Sequence, residues 1–288
     1  MNLKPETIKK NLIYDVGMHQ GQDTDFYLKK GFEVVGFEAN PANIEFCKQR
    51  FAQAIEENRL TIVEGAIVEN AAIDEKVRFY LNKNHSFWGS TADDWAYRNE
   101  VMGTTNEMIE VGTVDFGEVI ERHGMPFYLK ADIVGSETIC LRALLRFENK
   151  PEYISIRSEK VIFERLLEEF RLFEQLGYNR FKAIQQDVSN LKTTFVAPNG
   201  EKITHVFEEG GSGFFAEETV GQWKSKEQVL KEYRRIFTLY WLFGDYSYLL
   251  QTENGKKFIA QLERLAKRPL PGWYDTHAKH SLVEQVNF

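Results

Sequence analysis

The residues best placed for chemistry form the run Asp15-Val-Gly-Met-His-Gln-Gly21, with Glu38 following 17 positions after Gly21. Glycine adopts positive φ at little cost and lets a ligand approach the backbone, so Gly17 and Gly21 suit a ligand-bearing turn. An acid at the end of the next strand can accept hydrogen bonds from both hydroxyls of a ribose. The glycine spacing is G-x-x-x-G, with Met18, His19 and Gln20 between, whereas a dinucleotide clamp needs G-x-G-x-x-G. An adenosine ligand without phosphates fits this turn better than a pyrophosphate. S-adenosylmethionine is such a ligand. Its sulfonium cation suits the acidic strand ends at Asp15, Glu38 and Asp132. The same residues also fit a plain tight turn followed by a solvated acid, and His19 also fits a turn residue bonded to nearby backbone.

Methyl transfer from a sulfonium needs an oriented acceptor and, for a hydroxyl acceptor, a group that takes its proton. His85, in Asn82-Lys-Asn-His-Ser-Phe-Trp-Gly-Ser90, is one candidate base, because histidine titrates near neutral pH. Asp132 and Glu137 are alternatives, although Glu137 also suits the first turn of a helix, where its charge favours the dipole. Asp23 reads as a helix cap. The acidic, glycine-rich segment Glu209–Glu218 lacks the lysine of a phosphate-binding loop and reads as a flap or surface loop. His277 and His280, behind Trp273-Tyr-Asp-Thr, are too few for a zinc site, so no metal is expected and a docked tail is the simpler reading.

Alternating strand and helix patterns must position these residues. Strands are expected at 11–16, 33–37, 60–63, 77–81, 127–133 and 153–156, and helices at 21–30, 41–54, 113–123, 136–147 and 159–176. Pro41 suits a helix start. This alternation predicts an α/β domain with a doubly wound, mostly parallel sheet. Residues 192–206, turning at Pro198-Asn199-Gly200, read as a hairpin suited to an antiparallel sheet edge. Residues 82–105 read as an irregular loop over the site. Residues 1–206 are expected to form the cofactor-binding domain and 207–288 a helical C-terminal extension packed on it. Aromatics cluster late, at Phe237, Tyr240, Trp241, Phe243 and Tyr246, as in a core helix.

Composition narrows the partners. With 36 basic and 43 acidic residues the net charge is −7, which gives no general attraction for nucleic acid or anionic lipid. No run approaches the ~20 apolar residues that span a bilayer, and the polar start, with three lysines up to Asn11, does not read as a signal peptide. Cys47 and Cys140 lie in apolar helical patterns and read as core residues of a reduced, cytoplasmic protein. The expected partner is a small-molecule or glycan acceptor, with no nucleic acid or membrane. A homo-oligomer remains open.

The stretch IYDVGMHQGQDTDFYLKKGFEVVGFEANP, from Ile13 to Pro41, resembles the opening of the FkbM family of methyltransferases. A second block agrees: Val114-Asp115, then MPFYLKADIVGSE at 125–137, then Leu141 and Leu144. The resemblance covers roughly residues 11–180. It implies a class I methyltransferase fold, Rossmann-like, that methylates hydroxyls of sugars or natural products. It makes Asp15, Gly17 and Gly21 the cofactor turn and Glu38 the ribose ligand, with Asn40 close behind. It puts Gly65 and Ala66 near the adenine, turns Asp132 toward the methionine end or the acceptor, and sets His19 and Thr24 in the same mouth. Two positions depart from the family. Its fourth-strand motif reads K-I-D-[VI]-E-G, whereas this chain has Lys130-Ala-Asp-Ile-Val-Gly135, with Val134 in place of the glutamate. Arg157, in ISIRSE, stands where an acid is common. Both changes remove negative charge from the acceptor side. They imply either an altered acceptor site, with Arg157 receiving an anion, or a cofactor-binding relative that has lost catalytic power and serves as a binding or scaffold protein.

Overall fold

Leu12 to Val16 form a continuous buried run, as expected of a strand covered on both faces. In the computed structural model, which describes residues 7–72, 74–186, 188, 190–244, 247–266 and 270–285, this run belongs to β1 (Lys9–Val16). Tyr246 and the first six residues lie outside that set. The chain continues through α1 (Gln22–Lys29), β2 (Glu33–Glu38), α2 (Pro41–Arg50), α3 (Ala52–Glu56) and β3 (Leu60–Glu64). The start of α2 follows from its sequence: the Asn40 side chain accepts from Ala42 N, and Pro41 occupies a position where no N–H is needed.

An insertion follows, made of β4 (Ala66–Ile67), β5 (Lys76–Asn82), a 3-10 turn at Ser86–Trp88, α4 (Asp93–Val101) and β6 (Asn106–Val114). Its three strands form a separate small sheet in the order β4-β6-β5. The stretch expected as an irregular loop is therefore partly helical, and the helix expected from 113 begins only after Asp115. Asp115 accepts from Glu118 N and caps it. The chain then runs through α5 (Phe116–His123), β7 (Pro126–Ala131), α6 (Glu137–Leu144), β8 (Tyr153–Arg157), α7 (Phe163–Gln175) and β9 (Tyr178–Gln185). It ends with β10 (Lys192–Val196), β11 (Lys202–Val206), α8 (Lys226–Phe243), α9 (Glu253–Ala266) and β12 (Tyr274–His280). A reciprocal capping box between Ser225 and Gln228 starts α8.

The main sheet has seven strands in the order β3-β2-β1-β7-β8-β12-β9. The neighbours from β3 to β8 pair in parallel, and β12 runs antiparallel to both β8 and β9. A doubly wound sheet with one antiparallel strand inserted next to the edge is the class I methyltransferase fold. Helices cover both faces. α5 to α8 build one core with Leu141, Leu144, Ile154 and Phe170, while α1 to α3 and the Phe207–Ala216 segment build the other with Phe26, Cys47 and Phe215. Each fully buried aliphatic or aromatic side chain there contributes ~1.5–3 kcal/mol. Cys47 and Cys140 are free and buried, as expected of core residues.

Two expectations need correction. The 192–206 hairpin forms a sheet of its own and does not extend the main one. Phe195, His205 and Phe207 pack around Phe26 of α1 at ring distances of 5.8, 4.9 and 4.8 Å, so the hairpin's apolar side covers that helix. The outer edge of β9 is occupied instead by Lys224, which exchanges two backbone hydrogen bonds with Phe181. The C-terminal part is also not wholly helical, since β12 fills the position between β8 and β9. The supposed docked tail is this strand. Its sequence, YDTHAKH, has no apolar run, yet Asp275, Thr276 and His277 are buried; Gln186 donates to Asp275, and the Ser158 and Tyr233 hydroxyls lie within hydrogen-bond distance of Thr276.

Candidate functional site

In an open α/β sheet the ligand crevice lies beyond the carboxyl ends of the strands, where the winding reverses. Here that point falls between β1 and β7. A cavity of about 420 Å³ opens there, a size usual for small-molecule sites. Gly17, Glu38 and Asp132 line it from the ends of β1, β2 and β7. Gly65, Ala66 and Asn43 line the end nearer β3, and Arg157, Gln186 and Trp273 the opposite end. The insertion roofs it with Phe87, Trp88 and Ser90, and Ser90 Oγ donates to the carbonyl of Val134 at 2.7 Å. Gly210 and Gly211 close one wall.

The glycine turn works differently from the sequence expectation. A Cβ on Gly17 would lie 2.2 Å from the carbonyl oxygen of Asp132, and one on Gly21 would lie 2.2 Å from the Phe51 ring. Both glycines have positive φ. They let strand, loop and helix approach one another, and Gly21 does not line the cavity. The N–H groups of Gly17 and Met18 donate to Phe37 O, that of His19 to Glu38 Oε2, and that of Gly21 to Met18 O. These four donors are used inside the protein and are not open to a pyrophosphate.

Glu38 is buried and accepts three backbone N–H bonds, from Ala39 and Asn40 at Oε1 and from His19 at Oε2. Burial pushes its carboxyl up to about 7, against these donors, which favour the charged form. The Asn43 side chain also favours the charged form, and both residues line the cavity. His19 stacks on Phe87 with ring centres 4.1 Å apart. The Gln22 amide nitrogen lies 3.2 Å from Nδ1, an arrangement in which Nδ1 accepts and Nε2 carries the proton. Burial pushes the imidazole down to about 4, so it is neutral at pH 7. Its buried Nε2 has no hydrogen-bond partner among the described residues.

Beneath the turn lies a charged cluster that sequence reasoning did not assign. Lys130 Nζ contacts Asp15 Oδ1 at 3.0 Å and Asp23 Oδ2 at 3.1 Å, and Thr24 Oγ1 donates to Asp15 Oδ2 at 2.6 Å. Burial opposes the Lys130 charge, but Asp15 and then Asp23 outweigh it and hold the ammonium charged. Asp15 and Thr24 do not line the cavity and serve to fix Lys130, which does. Asp23 also accepts from Ser212 N and Gly213 N, so it does not cap its own helix as expected. It anchors the glycine-rich segment, which is thereby a fixed wall of the cavity. Lys130 was legible in part, because it stands two residues before Asp132 and alternation along β7 places both on one side of the strand.

Asp132 faces Arg157 from the neighbouring strand, with Oδ1 2.9 Å from Nε, and both residues line the cavity. The Arg157 guanidinium lies 4.2 Å from the centre of the Trp273 ring. Val134 is buried and also lines this end. Trp273 was beyond sequence reasoning, because only β12 brings it here. His85 is not at the site. The Asn82 carboxamide accepts from the N–H groups of Asn84 and His85, and the exposed imidazole packs on Trp88 outside the cavity. Glu137 is buried behind Gly135, whose N–H it accepts, and does not line the cavity. His277 and His280 are three apart on a strand, which turns them to opposite faces, and His280 Nε2 lies 3.0 Å from Leu176 O. No group of three or more candidate metal ligands occurs among the described residues, nor does a helix long and apolar enough to cross a membrane.

No protein-family model matches the chain, and no curated protein matches it. Among solved structures, it is similar to a S-adenosylmethionine-dependent methyltransferase from Archaeoglobus fulgidus, at 12% identity and a TM-score of 0.36 over 94% of this chain and 86% of that one. A precorrin-6Y C5,15-methyltransferase from Geobacter metallireducens gives 12% identity and 0.34 over 69% and 77%. A TehB-like methyltransferase from Corynebacterium glutamicum gives 14% and 0.33 over 62% and 71%. Likeness at this level carries no argument about function. The fold is read from the strand order, which is that of the class I methyltransferase fold.

Proposed function

We propose that the chain is a S-adenosylmethionine-dependent methyltransferase that methylates a hydroxyl of a small molecule or glycan, in the manner of the FkbM family it resembles. The carrying observation is Glu38, buried at the end of the second strand and facing a single cavity that also holds Gly65, Ala66, Asp132 and Arg157. The residues suit this cofactor. Glu38 would hold the ribose, and Gly65 and Ala66 leave room for a flat base beside Phe37 and Asn43. The N–H groups of Gly17, Met18, His19 and Gly21 are used inside the protein, which speaks against a polyphosphate held on the turn. The neutral His19 Nε2 donor and the charged Lys130 would meet the polar amino-acid end. When bound, this cofactor supplies an electrophilic methyl group on a sulfur that leaves as a thioether.

The protein's own task is orientation and proton removal. Asp132 is the proton acceptor in this reading. It lines the cavity, and its buried Oδ1 touches Arg157 without hydrogen-bond geometry, so acceptor capacity is left over. With that cofactor bound, an acceptor hydroxyl held beside Asp132 would give its proton to the Asp132 carboxylate as its oxygen is methylated. Phe87 and Trp88 place apolar rings over that part of the cavity. Two free, buried cysteines support a reducing, cytoplasmic setting.

One observation favours a second reading. The close approach of Arg157 to Asp132 ties up the carboxylate that should accept the proton, as expected of a relative that binds cofactor without turning over. Calorimetry with S-adenosylhomocysteine and with NAD tests the binding claim, and only the former should bind. Release of S-adenosylhomocysteine from S-adenosylmethionine in the presence of hydroxylated acceptors separates enzyme from binder. Binding of NAD alone would remove both readings.

A further inference from the structure

Arg157 has more hydrogen-bonding capacity than the protein uses. Its side chain is nine-tenths buried, yet Nη1 has no hydrogen-bond partner among the described residues. A buried guanidinium donor left open in a native structure calls for an explanation. Trp273 holds the guanidinium plane from one side, and Asp132 meets it at Nε, so its orientation is fixed. Nη1 itself is closed to solvent, while the residue as a whole borders the cavity.

The surroundings are short of negative charge to satisfy it. Lys130 already takes up Asp15 and Asp23. Asp275, on the strand paired with β8, is fully buried and hydrogen-bonded by Gln186 Nε2 at 2.6 Å. Burial pushes its carboxyl up to about 8, and that of Glu137 to about 8, so both are neutral at pH 7. That leaves Asp132 as the carboxylate in contact with Arg157.

Position separates this end from the cofactor end. Arg157 lies three strands from Glu38 across the sheet, ~14 Å at the usual strand spacing. The β1 turn and Lys130 stand between them. We propose, resting on the methyltransferase reading above, that the acceptor carries a carboxylate next to its reacting hydroxyl, and that the Arg157 guanidinium is the group that recognises it. Asp132 and Arg157 touch each other, so the hydroxyl and the carboxylate must be close neighbours, as in a 2-hydroxy acid or an ortho-hydroxybenzoate. A fixed guanidinium reads such a planar anion well, and Trp273 offers a flat wall for the carbon frame.

Salicylate and its neutral analogue salicylamide serve as probes, titrated calorimetrically into the protein with and without saturating S-adenosylhomocysteine. Salicylate should bind the complex at least about tenfold more tightly than salicylamide, with Arg157→Gln removing the difference and Arg157→Lys restoring part of it. Equal binding of the two probes to the wild type, or no salicylate binding, overturns the proposal whether or not the variants fold. A loss of S-adenosylhomocysteine affinity in Arg157→Gln as large as the loss of salicylate affinity also overturns it, since Arg157 would then serve the cofactor's own carboxylate. Salicylate binding that persists while S-adenosylhomocysteine fails to bind at all overturns the cofactor reading instead, and leaves Arg157 as an anion site.

Discussion

At Glu38, burial and three backbone donors pull the charge in opposite directions, and its carboxyl lies at about 7. Ribose hydroxyls donate, so they favour the ionised form. Affinity for S-adenosylhomocysteine should rise between pH 6 and pH 8, and the rise should vanish in Glu38→Gln. Glu38→Ala should weaken binding ~10–100-fold, the worth of hydrogen bonds to a charged group. Calorimetry at three pH values checks both, and a flat profile in the wild type would contradict the role given to Glu38. The buried acids Glu137 and Asp275 act on stability. Burial holds each protonated up to about 8, whereas the unfolded chain releases those protons near pH 4. The folded state then binds more protons, so stability is lost as pH rises toward 8. His277 has the opposite sign. Burial pushes it down to about 3, so stability grows as pH rises from 3 through about 6.5. With two such acids against one histidine, the melting temperature should peak near pH 4 and fall from there to about pH 8, with a shallower fall in Glu137→Gln. A wild-type melting temperature still climbing above pH 7 would refute this balance.

Among the elements, the turn after β1 is the most constrained. Gly17→Ala puts a Cβ against the Asp132 carbonyl at positive φ, and should cost at least ~3 kcal/mol in denaturant unfolding. Gly112→Ala meets open space without a positive φ and should stay within ~1 kcal/mol. Comparable losses in the two variants would show that packing does not decide the matter. This turn was legible because its glycines, the Glu38 acid and the alternating strands all sit in local sequence. The hairpin was legible as a hairpin, but its place was not. Nothing local says that Phe195 and Phe207 meet Phe26 and not a sheet edge. His85 was misplaced for a similar reason, since one side-chain turn at Asn82 decides which way the segment faces.

For the whole molecule, the parallel half of the sheet could be read from alternating apolar runs, and the closing strand could not. β12 buries polar residues, and its partners lie at least 89 positions earlier in the chain. Arg157 and Trp273 meet only because of it, so the acceptor end of the site was invisible to local pattern. Removing residues 271–288 should leave β8 and β9 without their shared partner, and the truncated chain should lack a cooperative thermal transition by circular dichroism. A cooperative transition in that chain would mean that the strand is an accessory.

The central claim places an adenosine cofactor over the β1 turn with its ribose on Glu38. A structure determined with bound S-adenosylhomocysteine tests it most directly. The account predicts ribose hydroxyls within hydrogen-bond distance of the Glu38 carboxylate, the base beside Gly65 and Ala66, and the sulfur facing Asp132. The ligand bound elsewhere, or its ribose out of reach of Glu38, would contradict it.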